Sequence, residues 1–249
     1  MKDSKDYNNL NRKENLKLAS KVVHGGEGID PATGSISFPI YQTATFKHSG
    51  IEIRDPYNYS RCINPTREEL EKTMAILEEG TRAFAVNSGM AAITLVFSLL
   101  KPGDHLIMSD DIYGGTFREV NEVLEVNGIE HDSIDLSDLD LLERTIKKNT
   151  KMIFIETPTN PMMKVADIEK IAKIGHDIGA LVVVDNTFLT PYFQRPLTLG
   201  ADIVVHSGTK YLAGHNDVLA GVVVVKDSKI GEILEIKMYI YGAGLGPMD

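Results

Sequence analysis

The sequence has little of the features that mark disulfide-stabilised, membrane and secreted proteins. Its one cysteine, Cys62, excludes a framework of disulfides within the chain. No apolar run approaches the ~18 residues that a membrane-spanning helix needs. The N-terminus is charged and polar, without the apolar centre of a secretory signal. These absences favour a cytoplasmic protein with no membrane segment.

Positive charge is also scarce. The sequence has 26 lysines and arginines against 35 aspartates and glutamates, a formal net charge of −9, and no long basic run. Partners with a strongly negative surface, such as nucleic acids or anionic membranes, are therefore disfavoured. With 249 residues, 43% of them hydrophobic, the chain can bury a substantial core. A small-molecule ligand is the better expectation.

The motifs of three common enzyme classes are missing from the sequence. A nicotinamide-dependent dehydrogenase needs a glycine-rich turn between an early strand and a helix, but the one similar run, residues 242–246, lies at the end of the chain. A nucleotide phosphotransferase needs a Gly-Lys-Ser/Thr loop, which the sequence lacks. The seven histidines are scattered, and His206 and His215 have no third ligand near them in the sequence, so we expect no metal site.

The pattern of apolar residues changes at about residue 60. Residues 1–60 are rich in polar residues and glycine and show no sustained period, so we interpret them as an extended N-terminal arm that packs on another surface. From Thr66 the pattern becomes regular. Thr66 with Glu69 predicts a capping box at the start of a helix, three apolar residues follow at helical spacing, and Gly80 is expected to end the helix.

Beyond residue 80, apolar strands and amphipathic helices alternate. Runs of valine and isoleucine flanked by helical periods indicate an α/β fold, with a mainly parallel sheet covered by helices on both faces. The predicted strands are 83–86, 105–108, 152–156, 181–185, 202–206 and 220–225, and the predicted helices are 89–100, 115–127, 138–148 and 167–178.

The most informative side chains follow two of the predicted strands. Asp185 ends one valine-rich strand, and Lys210 lies in a turn of small and hydroxyl residues after the next. A carboxylate that can hold a pyridinium nitrogen and a lysine that can condense with an aldehyde are what pyridoxal phosphate requires of a protein. Taken singly, the lysine is more often a surface charge and the aspartate a helix cap.

Other residues at the same edge of the predicted sheet suit a phosphate. Ser207 and Thr209 flank a glycine just before the lysine, and hydroxyls with free backbone amides can bind an anion. The run Ser88, Gly89 and Met90 joins a strand to an apolar helix, whose first amides would also bind a phosphate. The alternative for this run is an ordinary serine N-cap with a tight glycine turn.

Two further residues could contact a flat ring. Tyr113 opens a predicted helix after a strand and could stack on the ring of a cofactor, or it could simply cover the core. Asn160 lies in a loop with two prolines after the 152–156 strand and could bond an oxygen on the ring, although Asn-Pro is equally a common turn.

Taken together, these motifs resemble the Cys/Met-metabolism family of pyridoxal phosphate enzymes of fold type I. The resemblance runs from about residue 20 to the last residue. The matching segments are 59–61, 64–66, 88–90, 113–116, 156–161, 185–187 and the run around Lys210. The resemblance implies a pyridoxal-phosphate-binding large domain over residues 61–249.

The resemblance also implies a role for each candidate. It makes Lys210 the lysine that condenses with the cofactor and shuttles protons, and Asp185 the partner of the pyridine nitrogen. Tyr113 would stack on the ring and Asn160 would contact its oxygen. The phosphate would be held by Ser88, Gly89, Met90, Ser207 and Thr209. Tyr59 and Arg61 would reach the phosphate of a neighbouring subunit, which implies a dimer or tetramer with shared sites.

The resemblance implies a trans-sulfuration reaction on a sulfur amino acid. Gly115 stands where methionine γ-lyases of the family carry a cysteine, and residues 156–161 are similar to those of the cystathionine enzymes. This favours a cystathionine γ-synthase or γ-lyase, with cystathionine β-lyase as the alternative. The family continues into a C-terminal domain with an arginine for the substrate carboxylate, whereas this chain stops at Asp249. We therefore expect a truncated chain without that domain, and an inactive cofactor-binding remnant is a further alternative.

Overall fold

The computed structural model describes residues 16–25, 29–30, 32–51, 53 and 55–249. The strands are β1 (Arg82–Val86), β2 (His105–Ser109), β3 (Glu130–Ile134), β4 (Thr150–Glu156), β5 (Leu181–Asp185), β6 (Ile203–Ser207) and β7 (Gly221–Val225). The helices are α1 (Leu18–His24), α2 (Pro65–Glu78), α3 (Gly89–Phe97), α4 (Gly114–Glu119), α5 (Leu139–Thr145), α6 (Ile168–Asp177), α7 (Thr190–Phe193) and α8 (Ser228–Tyr241). A π-helical turn at Val120–Leu124 extends α4, and a 3-10 turn lies at Pro196–Leu199.

The strands form one sheet in the order β1-β7-β6-β5-β4-β2-β3. Pairs β2–β3, β2–β4, β4–β5 and β5–β6 are parallel, and β7 runs antiparallel to both of its neighbours, β1 and β6. The predicted α/β fold with a mainly parallel sheet is therefore confirmed. Strands β5, β6 and β7 are valine-rich because both of their faces are buried.

Each face of the sheet is covered by its own set of helices. Helices α3 and α8 and the π-helical turn pack on one face, where the rings of Phe97 and Phe154 lie 5.1 Å apart. Helices α2, α5 and α6 pack on the other, where Met74 and Leu77 of α2 are buried. The two apolar layers hold the central strands rigidly, so the ends of those strands are fixed positions for functional side chains.

In the part of the chain that the structure describes, no helix is both long and apolar enough to cross a membrane.

Several elements differ from the sequence predictions. The strand β3 was not predicted because the run from Glu130 to Ile134 is polar, as an edge strand can be. Helix α8, between β7 and the end of the chain, was also missed. Within the predicted arm, Leu18–His24 forms α1 although that region lacks a sustained period. Residues 1–15 of the arm lie outside the described residues, as do 26–28, 31, 52 and 54.

The start of α2 corrects the predicted capping box. Asn64, not Thr66, is the N-cap, and its side-chain oxygen accepts a hydrogen bond from the Thr66 amide at 3.0 Å. Pro65 lacks an N–H and suits the first helical position, which favours the residue before it as the cap. The Thr66 hydroxyl instead donates to the carbonyl of Pro39 and accepts from the Tyr41 amide. It therefore ties the preceding segment to α2.

The end of α2 is a second correction. Glu79, rather than Gly80, takes the left-handed conformation that ends the helix, with φ of 59°. Gly80 is needed for close packing instead, because a Cβ at this position would lie 2.5 Å from Cγ1 of Val224. The glycine thus marks the approach of the chain to β7 and not the helix terminus.

Candidate active site

A cavity of about 260 Å³ opens at the edge of the sheet where β4, β5 and β6 end. Parallel strands bring their carboxyl ends to one edge, and ligands bind there in sheets of this kind. The start of α3, the segment before α4 and the turn after β6 complete the walls. Nine residues that the sequence singled out line the cavity: Ser88, Gly89, Met90, Tyr113, Asn160, Asp185, Ser207, Thr209 and Lys210.

Asp185 is the last residue of β5 and lies beside Glu156, its neighbour across the strand pair. Its Oδ1 accepts from the amide and the hydroxyl of Thr187, at 3.0 and 2.6 Å. Its Oδ2 has no hydrogen-bond partner among the described residues. Burial raises the pKa of the Asp185 carboxyl, and the bonds from Thr187 oppose that rise. A cationic donor in the cavity would give Oδ2 a partner and stabilise the carboxylate.

Lys210 lies in the turn after β6 and lines the same cavity. The turn is fixed by the Lys210 amide, which donates to the carbonyl of Ser207, and by the Gly214 amide, which donates to the carbonyl of Lys210. The lysine side chain is exposed, and within the described ranges no carboxylate pairs with its amine. An amine that is carried by a fixed turn and is not held in an ion pair can react with a ligand in the cavity.

The two hydroxyl residues beside Lys210 have different surroundings. The Thr209 hydroxyl bonds both backbone groups of Ala220, at 3.2 and 3.1 Å, and so fastens the turn to the start of β7. Ser207 faces the start of α3, where a Cβ on Gly89 would lie 2.7 Å from the Ser207 Cβ. Only a glycine at position 89 allows this close approach of α3 to the end of β6.

The start of α3 supports both interpretations of residues 88–90, as a serine N-cap and as a helix start that can bind a phosphate. The Ser88 hydroxyl accepts from the Ala91 amide at 3.1 Å, so this side chain is the helix N-cap. The amides of Gly89 and Met90 belong to the first turn, which has no carbonyl partners within the helix. An anion in the cavity would therefore meet free N–H groups and the positive end of the helix dipole.

Tyr113 and Asn160 are brought together by Glu156, a residue to which the sequence gave no role. The Tyr113 amide donates to Glu156 Oε2 at 2.9 Å, and the Asn160 amide donates to Glu156 Oε1 at 3.0 Å. Glu156 is only 6% exposed. Burial and the negative charge of Asp185 raise the pKa of Glu156 to about 7. The sequence signal was a carboxylate that directly follows four apolar residues, 152–155.

Tyr59 and Arg61 lie apart from this cavity. The Arg61 guanidinium stacks between the rings of Tyr59 and Tyr239, at 5.2 and 4.8 Å from the ring centroids. Arg61 is exposed, and Tyr59 is 41% exposed. Both side chains therefore present polar groups to the surface of the chain, away from the residues around Lys210.

A buried polar network stabilises the ends of β5 and β6. Glu78 and His206 are both fully buried, and Glu78 Oε1 lies 2.6 Å from His206 Nε2. The Asn186 amide group donates to the same oxygen and to the carbonyl of Gln194. Asn186 follows Asp185, and His206 precedes Ser207. The network thus fixes the ends of β5 and β6 relative to α2.

We expect Glu78→Ala to destabilise the protein by roughly 3 kcal/mol, since removing one partner of a buried pair leaves the other without compensation. The measurement is the midpoint of urea unfolding without added cofactor. Glu235→Ala, which breaks the exposed pair with Arg82, is the control and should cost less than about 1 kcal/mol. Equal losses in the two variants would contradict the role given to the buried network.

Metal ligands do not converge at this edge of the sheet or at another described site. Among residues 16–25, 29–30, 32–51, 53 and 55–249, no group of three His, Cys, Asp or Glu side chains could hold a metal ion. The chemistry of the cavity walls is instead that of an amine, two carboxylates, hydroxyls and backbone amides.

Comparison with known proteins identifies this arrangement. Residues 19–249 match the family model described as Cys/Met metabolism PLP-dependent enzyme. The chain belongs to this family. Pyridoxal phosphate is the cofactor of the Cys/Met metabolism enzymes, and the family resemblance expected from the sequence motifs is confirmed.

Curated relatives and solved structures support the assignment. The chain is 50% identical over 232 residues to a cystathionine beta-lyase of Lactococcus lactis, covering 93% of this chain and 61% of the relative. It is 48% identical over 234 residues to a cystathionine gamma-lyase of Bacillus subtilis, covering 94% and 62%. The crystal structure of cystathionine gamma-lyase from Lactobacillus plantarum complexed with L-serine aligns with a TM-score of 0.92 at 44% identity, covering 94% of this chain and 61% of that one. The chain thus spans about three fifths of the length of these relatives.

The cavity fits the cofactor of this family. Gly89 lets the start of α3 pack directly against Ser207, so the first amides of the helix and the Ser207 hydroxyl lie together in the cavity wall. Asp185 Oδ2 can accept from a further donor, which a protonated pyridine nitrogen is. Lys210 supplies an amine for an aldehyde. These are the groups that a phosphate, a pyridine ring and an aldehyde need.

Proposed function

We propose that this chain binds pyridoxal phosphate in the cavity and serves a trans-sulfuration reaction of the cystathionine γ-synthase or γ-lyase type. The observation that carries the proposal is that Asp185, at the end of β5, and Lys210, in the turn after the adjacent strand β6, line one cavity. Cystathionine β-lyase is the second candidate, because a relative at 50% identity carries that name.

Pyridoxal phosphate, when bound, supplies an aldehyde that condenses with amines and a ring that withdraws electrons from a substrate carbon. Asp185 would hold the pyridine nitrogen protonated through a charged hydrogen bond from Oδ2. Thr187 keeps the carboxylate in place by occupying Oδ1. The carboxylate is thereby oriented before any ligand enters the cavity.

Lys210 would bind the cofactor and later move protons. As a free amine, Lys210 could take a proton from one substrate carbon and return it to another. The fixed turn after β6 limits how far the amine can travel. The exposed position of this side chain lets it reach both the cofactor and an arriving substrate.

The phosphate would lie between the start of α3 and the turn after β6. The amides of Gly89 and Met90 would donate to its oxygens, together with the Ser207 hydroxyl. The Ser88 and Thr209 hydroxyls would mainly stabilise the walls of the cavity. The Ser88 hydroxyl caps α3, and the Thr209 hydroxyl fastens the turn to Ala220. Tyr113 would stack on the ring, and Asn160 would bond its oxygen.

Residues 59–61 would complete the site of a second subunit. Arg61 suits a phosphate because a guanidinium can bond two of its oxygens at once. Its exposed position, away from the cavity of its own chain, supports a homo-oligomer with shared sites. In this proposal residues 61–249 form the cofactor-binding domain, residues 1–60 form an arm, and the protein acts in the cytoplasm.

The proposal is tested with the purified chain and added pyridoxal phosphate. We expect an absorption band of the bound cofactor, followed by turnover of a sulfur amino acid. Cleavage of cystathionine on the γ side releases cysteine and on the β side releases homocysteine, so thiol identification separates the two lyases. Formation of cystathionine from cysteine and an activated homoserine would identify a synthase.

The controls separate binding from catalysis. Binding without turnover of any of these substrates would favour a cofactor-binding chain that lacks activity on its own. Failure of the chain to bind the cofactor at all would overturn the proposal. Free pyridoxal phosphate mixed with an unrelated lysine-rich protein gives the background absorbance.

A further inference from the structure

We infer that Glu156 is a positioning residue that fixes the backbone of both residues proposed to contact the cofactor ring, Tyr113 and Asn160. The inference rests on the proposed function. Each carboxylate oxygen of Glu156 accepts one amide, from Tyr113 at 2.9 Å and from Asn160 at 3.0 Å. The Glu156 amide in turn donates to the Ser109 hydroxyl at 3.1 Å. One side chain therefore joins two loops that are more than 40 residues apart in sequence.

The two bonds need a carboxylate in particular. Both partners are N–H donors, and a carboxylate offers an acceptor on each oxygen. A glutamine of the same shape offers one acceptor and an NH₂ group, so one backbone amide would face another donor. A buried amide without an acceptor is costly. The loop that loses its bond would shift, and with it the side chain of Tyr113 or Asn160.

The Glu156 carboxyl lies in a place that disfavours its charged form. Glu156 and Asp185 are direct neighbours in the register of β4 and β5, and both line the cavity. Burial and the Asp185 charge raise the pKa of Glu156, while the two amides lower it. A carboxyl at position 156, even beside the Asp185 carboxyl, is explained by the need to accept from two backbone N–H groups. An apolar side chain or a glutamine cannot meet that need.

The test is Glu156→Gln in the full chain, titrated with pyridoxal phosphate. We expect the affinity for the cofactor to fall about tenfold, as for one lost hydrogen bond, with a weaker induced circular dichroism of the bound ring. Glu119→Gln is the matched control, because Glu119 is also buried with a pKa raised by burial and does not line the cavity. The control should bind the cofactor like the wild type.

A double-mutant cycle separates positioning from general stability. If Glu156 acts through Asn160, the effect of Glu156→Gln shrinks in an Asn160→Ala background. Multiplicative effects with both Asn160→Ala and Tyr113→Ala would overturn the inference. The urea midpoint of each variant checks that the fold is intact. If Glu156→Gln does not fold, Glu156→Asp, which keeps the acceptors but shortens their reach, replaces it, with a smaller loss expected.

The outcome also distinguishes this inference from the proposed function. If the wild-type chain binds no pyridoxal phosphate, both the proposed function and the inference about Glu156 are wrong. A wild-type chain that binds it, with Glu156→Gln indistinguishable from Glu119→Gln, removes only the role of Glu156.

Discussion

Lys210→Ala is expected to abolish covalent attachment of pyridoxal phosphate. The amine of Lys210 lines the cavity on a turn held by backbone hydrogen bonds, and alanine removes the nucleophile while leaving those bonds. After borohydride reduction and proteolysis, the wild-type peptide that contains position 210 should carry the cofactor mass. The variant should carry essentially none, and any catalytic turnover should fall by several orders of magnitude.

Lys170→Ala is the control for this experiment. Lys170 is an exposed lysine on α6, paired with Asp167, and its loss should leave the labelling of position 210 unchanged. Label on another lysine in the wild-type protein, with position 210 unmodified, would show that the reactive amine had been assigned wrongly.

Asp185→Asn is expected to weaken cofactor binding about 10- to 100-fold, as a hydrogen bond to a charged group contributes roughly 1.5–3 kcal/mol. Asparagine keeps the shape and can still accept from Thr187, but it cannot hold a protonated pyridine nitrogen by charge. The measurement is a titration with pyridoxal phosphate, followed by absorbance. The absorption band should also shift, because the ring nitrogen loses its proton.

Asp138→Asn is the matched control, because it makes the same substitution at a helix cap. Asp138 caps α5 through the Leu141 amide, and asparagine caps helices about as well as aspartate. Its cofactor affinity should equal that of the wild type. An Asp185→Asn variant with the same affinity and spectrum would rule out Asp185 as the partner of the ring nitrogen.

The sheet could be predicted because its strands carry their own signal. Residues 181–185 and 221–225 contain three and four valines, a composition typical of strands buried on both faces. The polar strand β3 gives no such signal and depends on pairing with β2. The caps of α2 were predicted wrongly for two reasons. Pro65 at the first helical position places the cap on the Asn64 side chain, and Glu79 takes a left-handed conformation that its residue type does not favour.

The candidate site was predicted in part for a related reason. Lys210, Asp185 and the start of α3 follow predicted strands, and parallel strands bring such positions to one edge of a sheet. The role of Glu156 was not predicted, since it comes from the backbone amides of Tyr113 and Asn160, which no residue type encodes. The network of Glu78 and His206 joins positions 128 residues apart, a distance over which a single sequence gives no pairing signal.

The neighbouring ends of β4, β5 and β6 set the distances between the functional side chains at the edge of the sheet. Glu156 pairs in register with Asp185, and Ser207 ends the next strand. Backbone pairing sets adjacent strands about 4.8 Å apart, so the intervals between these side chains are inherited from the peptide chain itself. Substitutions in the surrounding loops can then change which substrate enters while the spacing that receives the cofactor is preserved.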